Sequence, residues 1–199
     1  MGLVSLQAIN IAKTNADMVM FEPIPTHVRA IKYNLVDLNQ EVNLTVNKSA
    51  LSDRDGKTAL FVDATNYGRS SLLQSRFDLT QSQVIEIELT NTAQYFSRKL
   101  KNYDNYVIKG DAEGFDSWIC ANIPIKIWKN TICAVIELSA WENVEKRHIE
   151  QIFSIRSESF KWSWQANSIQ IANFDEVRDF WLGGSGVQKN LFLSQGDRC

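Results

Sequence analysis

The stretch "DMVMFEPIPTHVRAIKYNLVDLNQEVNLTV", Asp17 to Val46, decides the fold. Its first five residues, Asp17 to Phe21, form a short apolar run. Such runs suit strands buried in a parallel sheet, where both faces are covered. Pro25 and Thr26 open the next segment. Val28, Ile31, Leu35 and Leu38 then recur at helical spacing, which predicts a helix through residue 40. From Val42 to Leu51 the chain alternates and is rich in Val and Thr, as a strand requires. Strand, helix, strand in this order is a βαβ unit with its two strands parallel.

The same alternation continues on either side. Upstream, "LVSLQAINIAKTN" carries Leu3, Leu6, Ile9 and Ala12 at helical spacing. Downstream, "SDRDG" (Ser52 to Gly56) is turn chemistry. "KTALFVD" and "VIEIEL" read as two strands around a polar loop, "ATNYGRSSLLQSRFDLTQSQ", and a loop that long inside a domain points to function. A helix "TAQYFSRKL", a strand "NYVIKGD", a helix "DSWICANI" and the apolar strand "NTICAVIEL" follow. "AWENVEKRHIEQIFSIR" has Val144, His148, Ile152 and Ile155 on one helical face. "FKWSWQ", a helix "FDEVRDFWL" and "NLFLS" end the chain. The expectation is an α/β fold: one domain over residues 1–199, a mostly parallel sheet, and helices on both faces.

Composition narrows the function. The 199 residues are 44% hydrophobic and 11% aromatic, enough for a sizeable core and unlike a disordered chain. A net charge of −2 excludes a nucleic-acid partner held by bulk positive charge. No run reaches the length of a membrane span, and the first residues carry no early positive charge, so neither a membrane anchor nor a secretory signal is expected. Cys120, Cys133 and Cys199 lack C-x-x-C spacing and fit a reducing, cytoplasmic setting, with Cys120 and Cys133 as small core residues. With only His27 and His148 available, no Cys/His metal site is expected. His148 reads as a core histidine; His27 reads as a surface helix start, with a place at the border of a ligand pocket as the alternative. Of Trp162 and Trp164, one packs on the core and the other on a neighbouring helix.

Ligands of open α/β sheets bind outside the carboxyl ends of the strands, which selects three places. Glu22 follows the first strand, where a carboxylate can accept hydrogen bonds from both hydroxyls of a ribose; a solvated or helix-capping acid is the plain alternative. "ALSD" (Ala50 to Asp53) ends the next strand, where small residues can lie on a flat base and Ser52 or Asp53 can bond its edge. A Ser or Asx turn explains it equally. "VIKGDAEGFD" (Val107 to Asp116) is the densest. Alternation along an extended end puts Lys109, Asp111 and Glu113 on one side, and Lys109 keeps the two acids ionised. Gly114 permits a sharp turn or a close approach to a ligand. An ion-paired strand end of purely structural purpose has the same composition.

In this order, "FEPIPTHVRAIKYNLVDLNQ", "NKSALSDRDGKTALFV", "NYGRSSL", "VIKGDAEGFD", "AVIEL" and "NLFLS" resemble the FkbM family of S-adenosylmethionine-dependent methyltransferases, over Gly2 to Gln195. The family's pattern is a "FEPNP" strand end, an "ALSD…G" segment, a "G-x-SSL" loop and a "K-x-D-x-EG-x-E" strand end. The resemblance implies a Rossmann-like class I methyltransferase fold with S-adenosylmethionine as cofactor. Glu22 would bind the ribose hydroxyls, and Ser52 and Asp53 would lie near the adenine. Asp111 would sit by the reacting methyl, with Lys109 and Glu113 around it. Gly68, Ser70 and Ser71 would form a loop over the site.

The chain departs from the pattern in places. Family members begin with a strand and a "D-x-G-A-N-x-G" turn, of which only Gly2 has a counterpart here, so the domain is expected to be incomplete at its N-terminus with its first strand missing. Ile24 replaces an asparagine, Gly110 an apolar residue and Asp116 a glutamate, and "IELTN" lacks the aspartate of the usual "LD". The expected activity is methyl transfer to a hydroxyl of a sugar or secondary metabolite. Asp111 is the first candidate for base or positioning, and Glu113 the second. The alternative is a catalytically inactive fragment or interaction module that keeps the fold. The partner is a small-molecule or glycan hydroxyl, with no nucleic acid and no membrane; the oligomeric state is not legible.

Overall fold

The computed structural model describes residues 16–36, 42–63, 70–72, 74, 82–100, 102–139, 160–163, 176, 179 and 188–195. The helices expected over 3–15 and 140–156, and the one over 174–182 save Glu176 and Asp179, lie outside the described residues, as does Trp164.

The opening unit is a βαβ turn. Strand β1 (Asp17–Phe21) pairs in parallel with β2 (Asn43–Asn47), Asp17 opposite Asn43 and Phe21 opposite Asn47. Between them runs helix α1 (Pro25–Asn34), with Pro25 in its first turn, where the missing N–H forfeits no bond. Val28, Ile31 and the capping Leu35 are buried, so the apolar stripe read from the sequence faces inward. The helix stops earlier than its stripe suggests. Leu35 leaves helical geometry at φ −107° and ψ 10°, with its N–H still bonded to the Ile31 carbonyl.

A second sheet holds β3 (Ala50–Ser52), β4 (Gly56–Asp63) and β5 (Ser82–Asn91), in the order β3-β5-β4. Gly56 ends the turn out of β3 at φ +140°, a conformation open to glycine alone. β4 and β5 run antiparallel from Gly56 opposite Leu89 to Asp63 opposite Ser82, and β3 joins β5 in parallel. The third sheet has the order β6-β7-β9-β8, from β6 (Tyr106–Gly110), β7 (Thr131–Ser139), β8 (Phe160–Ser163) and β9 (Gln188–Gln195). Here β6 and β7 are parallel, while β9 is antiparallel to both β7 and β8. Helices α2 (Thr92–Lys99), α3 (Asp116–Asn122) and α4 (Ile125–Lys129) connect β5 to β6 and β6 to β7.

The fold is therefore α/β, but the expected single, mostly parallel sheet is not what forms. Among the described residues, three pairings are parallel and three antiparallel. The reason lies in the connections. A helical crossover returns the chain to the same end of the sheet and makes β1–β2 and β6–β7 parallel, whereas β4 passes to β5 with no described helix between them and pairs antiparallel. Among the described residues, β1 and β6 each pair on one edge only.

Two apolar clusters hold these sheets. One gathers Phe96, Ile123, Trp128, Ile136 and Leu191 under the third sheet, with Leu51 of β3 and Ile108 of β6 packed against it. The other joins Ile24, just past β1, to Leu60, Val62, Ile87 and Leu89 of the second sheet. Full burial of each such side chain is worth ~1.5–3 kcal/mol, so these contacts fix the strand ends relative to one another. Tyr95 of α2 adds a further tie, meeting the Phe21 ring edge-on at 4.9 Å and accepting a bond from Asn47 Nδ2 at 3.3 Å. The Tyr103 hydroxyl donates to the Asp17 carboxylate at the opposite end of β1.

Candidate functional site at the carboxyl ends of the parallel strands

Glu22 leaves β1 with its N–H bonded to the Asn47 carbonyl of β2, 3.0 Å away. Its side chain folds back, so that Oε1 accepts the Ile24 N–H at 2.8 Å and lies 3.5 Å from His27 Nδ1. The two side chains are 19% and 12% exposed respectively, so this is a half-buried pair rather than a surface one. Burial pushes the Glu22 carboxyl above its ordinary value, with the Ile24 N–H and His27 acting against it. Oε2 has no hydrogen-bond partner among the described residues. His27, expected as a helix start or at the border of a ligand pocket, thus belongs with Glu22. Its place five residues on, at the first turn of a helix, was the available signal.

Ser52 is buried at the end of β3, and its hydroxyl donates to Asp53 Oδ1 at 3.1 Å. The carbonyl of Asp53 accepts Asn91 Nδ2 at 2.7 Å, Asp55 Oδ1 accepts the Asn91 N–H at 2.8 Å, and Asn91 caps α2 by accepting the Gln94 N–H. Turn and helix cap are thus one network. It accounts for Asp53 and Asp55 as turn residues, whatever else Ser52 and Asp53 do.

The knot after β6 is built differently from an extended end. Lys109 Nζ does lie beside Asp111, 3.0 Å from Oδ2, and it also bonds the Gly110 carbonyl. Both side chains are more than a third exposed, so the pair contributes ~0–1 kcal/mol to stability. Alternation ends at Gly110: Glu113 has φ +50° and Gly114 φ +93°, two left-handed residues in succession. Even so, the Glu113 carboxylate stays with Asp111. The two converge with Glu137 of β7, one oxygen from each lying within 4.8 Å of the others. Glu137 was not singled out in the sequence. The register explains its position, since Gly110 stands opposite Ile136 and the next residues on each strand are Asp111 and Glu137. Three carboxylates this close attract a cation or a cationic ligand.

From the long loop between β4 and β5, Ser71 reaches this knot. Its backbone bridges Phe61 in both directions at 3.0 Å, and its hydroxyl donates to the Glu113 carbonyl at 2.8 Å. Ser70 precedes it; Gly68, like Gly2, lies outside the described residues. Beneath the knot sits Asp116, 2% exposed, at the first position of α3. Burial, and then the charges of Asp111 and Glu137, push its carboxyl up to about 7 against the opposing pull of the Ala112 N–H and Lys109. Cys120, one turn on, is fully buried and its thiol is pushed up too, by burial and by Asp116. Cys133, expected as a reduced core residue, is instead disulfide-bonded.

The strand ends bearing Glu22, Ser52 and Asp111 are tied together through the two apolar clusters and the Ser71–Glu113 bond. Compared with protein-family models, with curated proteins and with solved structures, the chain matches none. No helix among the described residues is long and apolar enough to cross a membrane.

Proposed function

We propose that the chain is an FkbM-like methyltransferase of Rossmann-like architecture. It binds S-adenosylmethionine across the carboxyl ends of β1, β3 and β6, and it methylates a hydroxyl of a sugar or secondary metabolite. The observation that carries this reading is the convergence of Asp111 and Glu113, just past the end of β6, with Glu137 of its parallel neighbour β7. A sulfonium is a cation, and a cluster of carboxylates is the complement it needs. Glu22 fits the same ligand, because Oε1 is held by Ile24 and His27 while Oε2 stays available to a ribose hydroxyl.

The cofactor supplies an activated methyl group. The protein's contribution is placement and charge. Glu22 anchors the ribose, and its own position is set by the Ile24 N–H. Asp111, with Glu113 beside it, would hold and orient the acceptor hydroxyl. The carboxylate of Asp111 would accept the proton that the hydroxyl gives up as the methyl group is transferred. Lys109, 3.0 Å away, tempers the negative charge of Asp111.

Calorimetry with S-adenosylmethionine and with S-adenosylhomocysteine tests the reading. Both are expected to bind, the cationic ligand more tightly, and Glu22→Gln is expected to weaken both by about tenfold, the value of a charge-assisted bond. Failure of the native chain to bind either ligand at millimolar concentration removes the proposal.

A further inference from the structure

Two of the chain's departures from the FkbM pattern, Gly110 and Asp116, touch each other. A Cβ built on Gly110 would stand 2.7 Å from Asp116 Oδ1 and 3.6 Å from Ile136 Cγ2. Asp116 Oδ2 accepts the Ala112 N–H at 2.8 Å, while Oδ1 is buried with no hydrogen-bond partner among the described residues. We infer that Asp116 is a positioning residue of this site: its buried carboxyl holds the Asp111–Glu113 turn from beneath, and residue 110 is a glycine so as to admit it.

The steric half of the argument is direct. No side chain fits at 110 without moving the Asp116 carboxyl, because 2.7 Å is closer than a methyl carbon and an oxygen approach. Oδ1 and Oδ2 belong to one planar group, so moving Oδ1 away also disturbs the Oδ2 bond to Ala112. The second half concerns what Ala112 controls. Its N–H belongs to the peptide that leaves Asp111, and its carbonyl accepts the Phe115 N–H at 3.2 Å. The turn so closed drives Glu113 to φ +50°, a conformation a non-glycine residue keeps only when its surroundings impose it. Ser71 holds the far end, at the Glu113 carbonyl. Asp116 supplies the side-chain hold at the near end.

The charges facing Asp116 make this hold sensitive to its proton. They are Lys109 of β6, Asp111 just past it and Glu137 of β7; the Cys120 thiol of its own helix also faces it but is held neutral by burial. Ionisation strengthens the bond from Ala112 but sets a fresh negative charge against Asp111 and Glu137. A cation arriving beside those two acids favours the ionised form, so the turn tightens as a cationic ligand enters. That the ligand is a cofactor rests on the function proposed above; that Asp116 sets the turn does not.

The test is amide spectroscopy of the full chain together with calorimetry. In the native protein the Ala112 amide proton is expected to titrate near neutral pH. Asp116→Asn, which can still accept the bond, should keep the amide's position but lose the titration. Asp116→Ala and Gly110→Ala should both displace it. Their double variant should recover the thermal stability lost in Gly110→Ala, since the clash is gone, but not the native amide position. Affinity for S-adenosylmethionine should fall by about tenfold in Asp116→Ala and be rescued in Asp116→Asn. A native Ala112 amide flat from pH 5 to 9 would overturn the inference. So would simple additivity of the Gly110→Ala and Asp116→Ala stability effects, or an affinity unchanged by Asp116→Ala when only its stability falls. Should the native chain bind no S-adenosylmethionine, the proposed function fails, while the amide titration and the double variant still decide the role of Asp116.

Discussion

Replacing Asp116 by asparagine should make the protein more stable at pH 8 than the native chain, yet bring no gain at pH 4. The native carboxyl is held at about 7 against an ordinary 3.8. Unfolding lets it ionise freely, so between those two values each pH unit removes ~1.4 kcal/mol from native stability. The sign follows from the direction of the displacement. A carboxyl raised in the folded state leaves stability intact below its unfolded value, and that stability drains away as pH rises to the folded one. Over the whole window the loss is ~4 kcal/mol. Asp116 is 2% exposed, so solvent screening does not reduce it. Asparagine escapes the loss but leaves an amide N–H pair where Oδ1 has no partner, at ~1–3 kcal/mol. The net gain at pH 8 is therefore ~2 kcal/mol, or roughly 4–8 °C in Tm for a chain of this length. Differential scanning calorimetry of both proteins from pH 4 to 8 reads it. The decisive quantity is the widening gap between the two Tm values as pH rises. A gap constant across that range would refute the reasoning, since it would mean that Asp116 ionises in the fold as readily as in the unfolded chain.

Other outcomes follow from single observations. Thr92 is fully buried with Oγ1 unbonded among the described residues, so Thr92→Val should raise the urea midpoint by an amount worth ~1 kcal/mol. Gly56 has open space around it but φ +140°, so Gly56→Ala should lower stability by ~1–3 kcal/mol for conformational reasons alone, measured by the same denaturation. Ser71→Ala should speed hydrogen exchange at the Phe61 amide several-fold, because the Ser71–Glu113 bond that anchors the bridge is lost. With turnover established, Asp111→Asn should lower kcat more than it weakens cofactor binding, whereas Glu22→Gln should do the reverse, since a ribose contact is the same in ground and transition states.

The chain's periodicity was enough to read β1, α1 and β2, the strands β6 and β7, and the apolar stripe of Val28, Ile31 and Leu35 that faces inward. These are local properties: alternation or helical spacing records which side of an element meets the core. The rule that α/β sheets carry ligands at strand ends then pointed to Glu22, Ser52 and Asp111, and those residues do end parallel strands. Strand direction was legible only where a helical crossover joins the strands. The β4–β5 pair is antiparallel and β9 lies beside β7 because of how the chain returns, and a strand's own residues do not encode that. Register likewise decided that Glu137 stands with Asp111, though 26 positions separate them in the sequence. Glu113 was placed on the right side for the wrong reason, since a left-handed turn and not alternation brings it there. Asp116 stood out in the sequence only as an aspartate in place of the family's glutamate. Only the packing of α3 against β3 and β7 buries it beside Gly110, and it is that burial, a property of the assembled structure, which pushes an ordinary aspartate up to about 7.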